Sequence, residues 1–174
     1  MTRRSVLSAS AMMALGLALL PGGAAAQEKP MKDLIVGTWT LQLDDGVRAD
    51  GSKQPNFGPN PKGILMFTAD GRYSLQIMRD SRPKFASNSR TGGTDAENKA
   101  AVQGAVAHFG KYSVNDADKS LTLRTEGSSY PNLDGATQKR QITALTADAL
   151  TWTNPMPGPA SGFVRTEVAW QRVK

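Results

Sequence analysis

After residue 34, short segments of alternating apolar and polar residues are separated by clusters of glycine, asparagine, aspartate and proline. Alternation with a period of two puts one set of side chains on the buried face of a strand and the other set in solvent. In the first segment, the set expected on the buried face is Trp39, Leu41 and Leu43. The set expected in solvent is Thr38, Thr40 and Gln42. By this pattern we predict eight strands, over residues 38–43, 63–68, 72–79, 112–114, 120–127, 137–145, 150–153 and 163–173.

One helix interrupts this series of strands. Thr94-Asp95-Ala96-Glu97 has the spacing of a capping box, and small or apolar residues recur at helical spacing up to about His108. We expect this helix to pack on the outside of the sheet. The fold class is therefore all-β: an eight-stranded antiparallel up-and-down barrel with one helix inserted between the third and fourth strands.

The first and last strands carry two residues that we expect to meet. On the last strand, Arg172 shares its parity with Val164, Thr166, Val168 and Trp170. We therefore expect Arg172 to point inward with these mainly apolar residues. An arginine on a buried face needs a partner, and the face of a tryptophan is a favourable one. We therefore predict that Arg172 lies over Trp39, with its donors on nearby carbonyls, and joins the last strand to the first.

Residues 44–61 are rich in turn-forming residues and predict a long loop. Phe57 is the only large apolar side chain in it. This phenylalanine either attaches the loop to the barrel or belongs to a lid over a cavity. We favour attachment, because long ordered loops are only sometimes functional.

The N-terminus has the three parts of a secretory signal peptide. Arg3 and Arg4 precede an apolar run that ends at Leu20, and an Ala-x-Ala sequence stands before Gln27. We expect residues 1–26 to be a signal peptide and residues 27–174 to form the domain. The paired arginines resemble a twin-arginine signal, although Val6 replaces the usual phenylalanine and Sec export stays open. The expected location is the periplasm or the medium, with no membrane anchor after cleavage.

Composition narrows the classes of function. The sequence has no cysteine and one histidine, which excludes disulfides, thiolate metal sites and multi-histidine metal sites. The net charge is +6, or +4 without the arginines of the signal peptide, and it accompanies no nucleic-acid motif. We expect no metal, no cofactor and no nucleic-acid partner, and a monomer of single-domain size.

Five short motifs together resemble the bacterial and fungal lipocalin-like domain family. They are Phe57-Gly58-Pro59-Asn60-Pro61-Lys62-Gly63, Thr68-Ala69-Asp70-Gly71-Arg72-Tyr73, Met78-Arg79-Asp80-Ser81-Arg82-Pro83-Lys84-Phe85, Phe109-Gly110-Lys111-Tyr112 and Ser128-Ser129-Tyr130-Pro131-Asn132. The resemblance extends from Leu34 to Val173. It implies a calycin-type barrel around a small-molecule cavity, and it does not imply one activity.

Candidate binding residues are the large or polar side chains expected along the barrel wall: Tyr73, Met78, Tyr112, Gln138, Arg140 and Trp152. Gln138 and Arg140 resemble a Gln-x-Arg that recurs in the family, and an inward pair could orient a carbonyl or carboxylate of a ligand. For His108 we favour capping or packing over catalysis. Arg124 and Glu126 are expected on the solvated outer face, opposite Leu121 and Leu123.

Three functions remain open from the sequence. The first is an exported barrel that binds a small, mostly apolar molecule. The second is a cofactor-free isomerase, cyclase or hydrolase that uses Arg140, Tyr112 or Glu126 as acid or base. The third is a structural or interaction domain with a filled barrel. The volume inside the barrel separates them, and the sequence does not give it.

Overall fold

The computed structural model describes residues 29–155 and 162–174. The predicted signal peptide and part of the last loop therefore lie outside the described residues. The described elements are, in order, α1 (Met31–Leu34), β1 (Gly37–Val47), β2 (Lys53–Pro55), β3 (Lys62–Phe67), β4 (Arg72–Met78), α2 (Asp95–Gln103), β5 (Ala105–Asn115), β6 (Ser120–Ser128), a 3-10 turn (Pro131–Leu133), β7 (Thr137–Leu145), β8 (Ala149–Pro155) and β9 (Arg165–Arg172).

The strands form one antiparallel sheet that closes on itself. From β3 to β9 each strand pairs with the next, and β1 pairs with both β3 and β9. The short strand β2 pairs only with the end of β1, from Asp45↔Pro55 to Val47↔Lys53. The predicted eight-stranded antiparallel barrel is therefore confirmed, with β2 as an added strand. The helix α2 lies between β4 and β5, which are the third and fourth strands of the barrel when β2 is left out.

The interior of the barrel is apolar over most of its length. Its fully buried side chains come from β1, β3, β6, β8 and β9 and from the segment before β1, and the largest are Trp39, Trp152, Trp170, Ile35, Leu65, Leu121, Leu123 and Leu150. Burial of such side chains is the main contribution to stability in a domain without disulfides. Phe57 packs against this core from its loop, as expected for an attachment residue.

A bulge in β1 changes which side chains face inward. The pairing of β1 with β9 shifts between Leu41 and Leu43, so the strict alternation of the sequence is broken there. Leu43 is 39% exposed, whereas Asp44 is only 9% exposed. The prediction that Leu43 is buried was therefore wrong, and the bulge brings a carboxyl group into the interior instead. The strand also continues to Val47, into the region predicted as loop.

The helix α2 is shorter than predicted and does not cover the sheet. Its capping box is present: the Thr94 side chain accepts from the Glu97 amide, and the Glu97 side chain accepts from the Thr94 amide. It ends at Gln103, none of its residues is buried, and Val102 is 71% exposed. Gly104 ends the helix, and the chain enters β5 at Ala105, so residues 105–108 were wrongly assigned to the helix.

Two positions show why the chain needs glycine at particular turns and crossings. Gly71 has a φ of 85° in the turn between β3 and β4, a conformation that glycine adopts without steric cost. Gly110 lies at a shift in the pairing of β5 with β6. A Cβ at this residue would stand 2.1 Å from the carbonyl oxygen of Arg124. Only glycine allows the two strands to approach this closely.

The first and last strands meet as the sequence suggested in outline. The Arg172 guanidinium lies 4.0 Å from the centre of the Trp39 ring. It donates to the carbonyl oxygen of Val36 over 2.6 Å and also to those of Leu34 and Ala147. Because these carbonyls come from both sides of the seam, one side chain joins three segments of the chain. Val164 differs from the prediction: it is 47% exposed and precedes the start of β9.

Candidate functional site

A row of five polar side chains crosses the interior of the barrel; we refer to Tyr73, His108, Thr125, Gln138 and Arg140 as the polar row. An Arg140 guanidinium nitrogen donates to Gln138 Oε1 over 3.0 Å, and Gln138 Nε2 donates to Thr125 Oγ1 over 3.2 Å. The Tyr73 hydroxyl lies 3.2 Å from Thr125 Oγ1 and 2.9 Å from His108 Nδ1. Four strands, β4 to β7, contribute to the row.

One direction of hydrogen bonding satisfies every contact in the polar row. Since Thr125 Oγ1 accepts from Gln138, its proton is free to be donated to the Tyr73 oxygen, and Tyr73 then donates to His108 Nδ1. Burial, and to a lesser degree the charge of Arg140, lowers the pKa of His108 to about 4. His108 is therefore a neutral acceptor at neutral pH, and burial likewise raises the pKa of Tyr73.

Arg140 is a buried cation. Its side chain is only 8% exposed, and among the described residues no carboxylate forms an ion pair with it. Burial lowers its pKa to about 10, so the guanidinium remains charged at neutral pH. It lies 5.6 Å from the centre of the Trp152 ring, and the Trp152 and Trp170 rings are themselves 5.6 Å apart. Arg140, Trp152 and Trp170 thus form a stack, which we call the Arg-Trp stack.

Asp44 places a buried carboxyl group on β1. Asn56 Nδ2 donates to its Oδ1 over 2.6 Å, and the backbone amide of Asn56 donates to its carbonyl oxygen over 2.9 Å. Burial raises the pKa of the Asp44 carboxyl, while the Asn56 hydrogen bond and the Arg140 charge oppose that rise. Asp44 and Arg140 therefore interact electrostatically without touching.

Four buried polar atoms of the described residues have no hydrogen-bond partner: Arg140 Nε, Trp152 Nε1, Trp170 Nε1 and Asn154 Oδ1. Three of them belong to the Arg-Trp stack. In the antiparallel pairing of β7 with β8, Gln141 is opposite Thr153. The next residues along the two strands are Arg140 and Asn154, so Asn154 also lies beside Arg140. An unsatisfied buried polar group costs about 1–3 kcal/mol. Such groups are few in native proteins, and their concentration around one cation marks a site.

Residues 36–173 match the family model described as a lipocalin-like domain. The chain belongs to the lipocalin-like domain family. A 4'-hydroxy-3'-methoxypropiophenone carrier protein of Aspergillus oryzae (strain ATCC 42149 / RIB 40) is 29% identical over 107 residues, which are 58% of this chain and 96% of that protein.

Two solved structures are also similar. A lipocalin-like protein from Bacteroides uniformis ATCC 8492 aligns with a TM-score of 0.45 and 14% identity, over 80% of this chain and 99% of that one. A redesigned β-barrel aligns with a TM-score of 0.41 and 14% identity, over 83% of this chain and 96% of the design.

The lipocalin-like barrel brings four of the predicted site residues together. Tyr73, Gln138 and Arg140 belong to the polar row, and Trp152 lies against Arg140. These four share the interior because each belongs to the inward-facing set of its own strand. The sequence prediction of an inward Gln138–Arg140 pair agrees with this geometry, and the two side chains are hydrogen-bonded to each other.

The structure places three other candidates elsewhere. The Tyr112 hydroxyl donates to the Thr68 carbonyl oxygen over 2.9 Å, and its ring packs edge-on against Phe67. Met78 has the outward parity of β4, and its Sδ accepts from Arg82. Glu126 lies on the outer face in an ion pair with Arg72 at 2.7 Å. Of the three residues of the acid–base alternative, Glu126 therefore lies on the outer face, whereas Arg140 is buried and Tyr112 packs against the core with its hydroxyl on a backbone carbonyl.

His108, Thr125, Asp44 and Asn154 were missed by the sequence prediction. His108 shares the parity of Tyr112, so extending the predicted strand towards the N-terminus would have placed it inside. Thr125 shares the parity of Leu121 and Leu123, which predicts an inward side chain, but this parity alone does not mark a site. No alternation pattern predicts Asp44, because its orientation depends on the bulge.

The surface of the lipocalin-like barrel carries several clefts, and a cleft of about 370 Å3 includes Thr125 of the polar row. One of about 560 Å3 is bordered by α1 and β7 and is lined by Met31, Leu34 and Leu145 among others. Another of about 490 Å3 lies over the basic loop and includes Arg82, Lys84 and Arg90.

Within residues 29–155 and 162–174, no three histidine, aspartate or glutamate side chains are grouped to hold a metal ion. The helices described in these ranges are too short or too polar to cross a membrane.

Proposed function

We propose that this lipocalin-like protein binds a small, mostly apolar molecule inside its barrel. The observation that carries the proposal is the buried Arg140, which has an aromatic surface on one side and an unpaired N–H donor. Binding sites for small molecules combine apolar and aromatic walls with a few placed polar groups. The interior has this composition: three tryptophans and several leucines surround the polar row.

The similarity to a carrier protein supports the same proposal. That relative is named for 4'-hydroxy-3'-methoxypropiophenone, a small aromatic ketone. Such a molecule has an apolar ring for the tryptophans and an oxygen for a buried donor. We therefore take a molecule of this size and polarity as the model ligand for the chain.

Native mass spectrometry of the protein purified from its own host tests the proposal. We expect the mass of one chain plus one small molecule, and a shift of the complex when 4'-hydroxy-3'-methoxypropiophenone is added in excess. A protein that carries nothing, and that binds neither this ketone nor an apolar fluorescent probe, would contradict the binding proposal. The filled-barrel alternative would then stand.

We further propose that the protein acts after export to the periplasm or the medium, as a monomer without a membrane anchor. The support is Arg3-Arg4, the apolar run after them and the Ala-x-Ala before Gln27. The same mass measurement on a periplasmic fraction is expected to give a chain that begins at Gln27. A substitution of Arg3 and Arg4 by lysine separates the two routes, because twin-arginine export depends on the arginine pair. A full-length chain found only in the cytoplasm would contradict export.

A further inference from the structure

We infer that the ligand of the barrel is a neutral aryl carbonyl compound whose oxygen accepts hydrogen bonds from the unpaired N–H donors of the Arg-Trp stack. The inference rests on the proposed function and specifies the chemical class of the ligand.

Three of the four free atoms are donors. Arginine Nε and indole Nε1 carry a hydrogen and cannot accept, so Arg140, Trp152 and Trp170 each present an unused N–H. The fourth free atom, Asn154 Oδ1, is an acceptor in the structure. The Nδ2 of the same side chain donates to Thr166 Oγ1 over 2.8 Å, but the amide could be rotated, because a hydroxyl both donates and accepts. What the three unambiguous groups lack is therefore an acceptor atom, such as a carbonyl oxygen.

The aromatic part of the ligand follows from the surroundings of these donors. Trp152 and Trp170 are both buried and their rings are 5.6 Å apart. Leu150 and Val168 pair with Trp170 and Trp152 across β8 and β9. A planar ring attached to the carbonyl would meet indole faces and aliphatic side chains, which favour offset stacking and apolar contact.

The charge balance favours a neutral ligand over a carboxylate. Among the described residues, the buried side chains that carry a cation or a carboxyl group are Arg140 and Asp44, and the two interact electrostatically. An ionised Asp44 already balances the guanidinium. A carboxylate ligand would add a second buried negative charge, which is costly without another cation. A carbonyl oxygen satisfies the N–H donors and adds no charge.

The donors are enclosed by the side chains around them. Each of the free atoms has almost no solvent-accessible surface, so water does not satisfy them there. A ligand oxygen reaches them only when interior side chains move apart. Binding then gives hydrogen bonds to N–H groups that had no partner, and no hydrogen bond from these groups to water is lost. The carbonyl oxygen therefore contributes strongly to affinity.

A matched set of ligands tests the inference. Propiophenone and n-propylbenzene differ only in the replacement of the carbonyl by a methylene, and benzoate supplies the charged comparison. By calorimetry at neutral pH we expect propiophenone to bind roughly tenfold or more tightly than n-propylbenzene, and benzoate to bind more weakly than propiophenone. Equal affinities for the first two would overturn the inference and leave the proposed function standing. Tighter binding of benzoate would replace the neutral carbonyl with an anion, and no binding of any of them would overturn both proposals.

Two variants locate the contact. Arg140→Lys keeps the charge but removes Nε, and Trp152→Phe keeps an aromatic ring but removes its N–H. For each, we expect the preference for propiophenone over n-propylbenzene to fall severalfold. Arg124→Lys, on the outer face of β6, is the matched control and should preserve the preference. Because the preference is a ratio measured on one folded protein, a loss of stability in a variant does not alter it. An unchanged ratio in both Arg140→Lys and Trp152→Phe would contradict the assignment.

Discussion

Replacing Trp39 with alanine is expected to lower the free energy of unfolding by about 4 kcal/mol. The side chain has no exposed surface, so its removal leaves a cavity in the core. Two further interactions are lost with it: the indole N–H donates to the Ile35 carbonyl oxygen over 2.9 Å, and the ring carries the Arg172 guanidinium. Chemical denaturation followed by circular dichroism measures the change.

The contribution of the stacked pair is obtained from a double-mutant cycle. Arg172→Ala leaves the carbonyls of Leu34, Val36 and Ala147 without their donor, and we expect a loss of about 3 kcal/mol. Arg172→Lys is the matched control, because it retains the charge but cannot reach three carbonyls at once. A coupling energy near zero between Trp39→Ala and Arg172→Ala would show that the two side chains act independently. If both single variants unfold at the same temperature as the wild-type protein, the pair does not contribute to closing the barrel.

Lowering the pH from 7 to 4 is expected to cost about 3 kcal/mol of stability through His108 alone. Burial lowers the folded-state pKa of His108 from 6.5 to about 4. Between these values the unfolded state binds a proton that the folded state does not, so the free energy of unfolding falls as the pH falls through this range. Below about 4 both states are protonated and the effect levels off.

A variant isolates this effect from the other titrating groups. His108→Gln removes the titration, and its side-chain oxygen can still accept from Tyr73. Asp44 works in the opposite direction, because its raised pKa makes the folded state bind a proton first as the pH falls. The difference in unfolding free energy between wild type and His108→Gln should therefore shrink by about 3 kcal/mol between pH 7 and pH 4. A difference that stays constant would mean that His108 is not buried as a neutral ring.

The sequence by itself determined the barrel. Alternation predicted the strands, and glycine and asparagine predicted their turns, because strand period and turn conformation are local properties of the chain. Inward residues such as Tyr73, Leu75 and Trp170 are buried as expected. The Arg140–Gln138 pair could be predicted as inward for the same reason, since parity within one strand does not depend on its partners.

The tertiary structure decided how the interior polar groups are combined. A bulge turned Asp44 inward against the alternation of β1, and an early helix end gave β5 the length that carries His108 into the barrel. Both depend on pairing with neighbouring strands, which sequence periodicity does not contain. The same holds for the unpaired donors around Arg140. Whether a buried donor is satisfied depends on every strand around it, and only the closed barrel shows where an acceptor is missing.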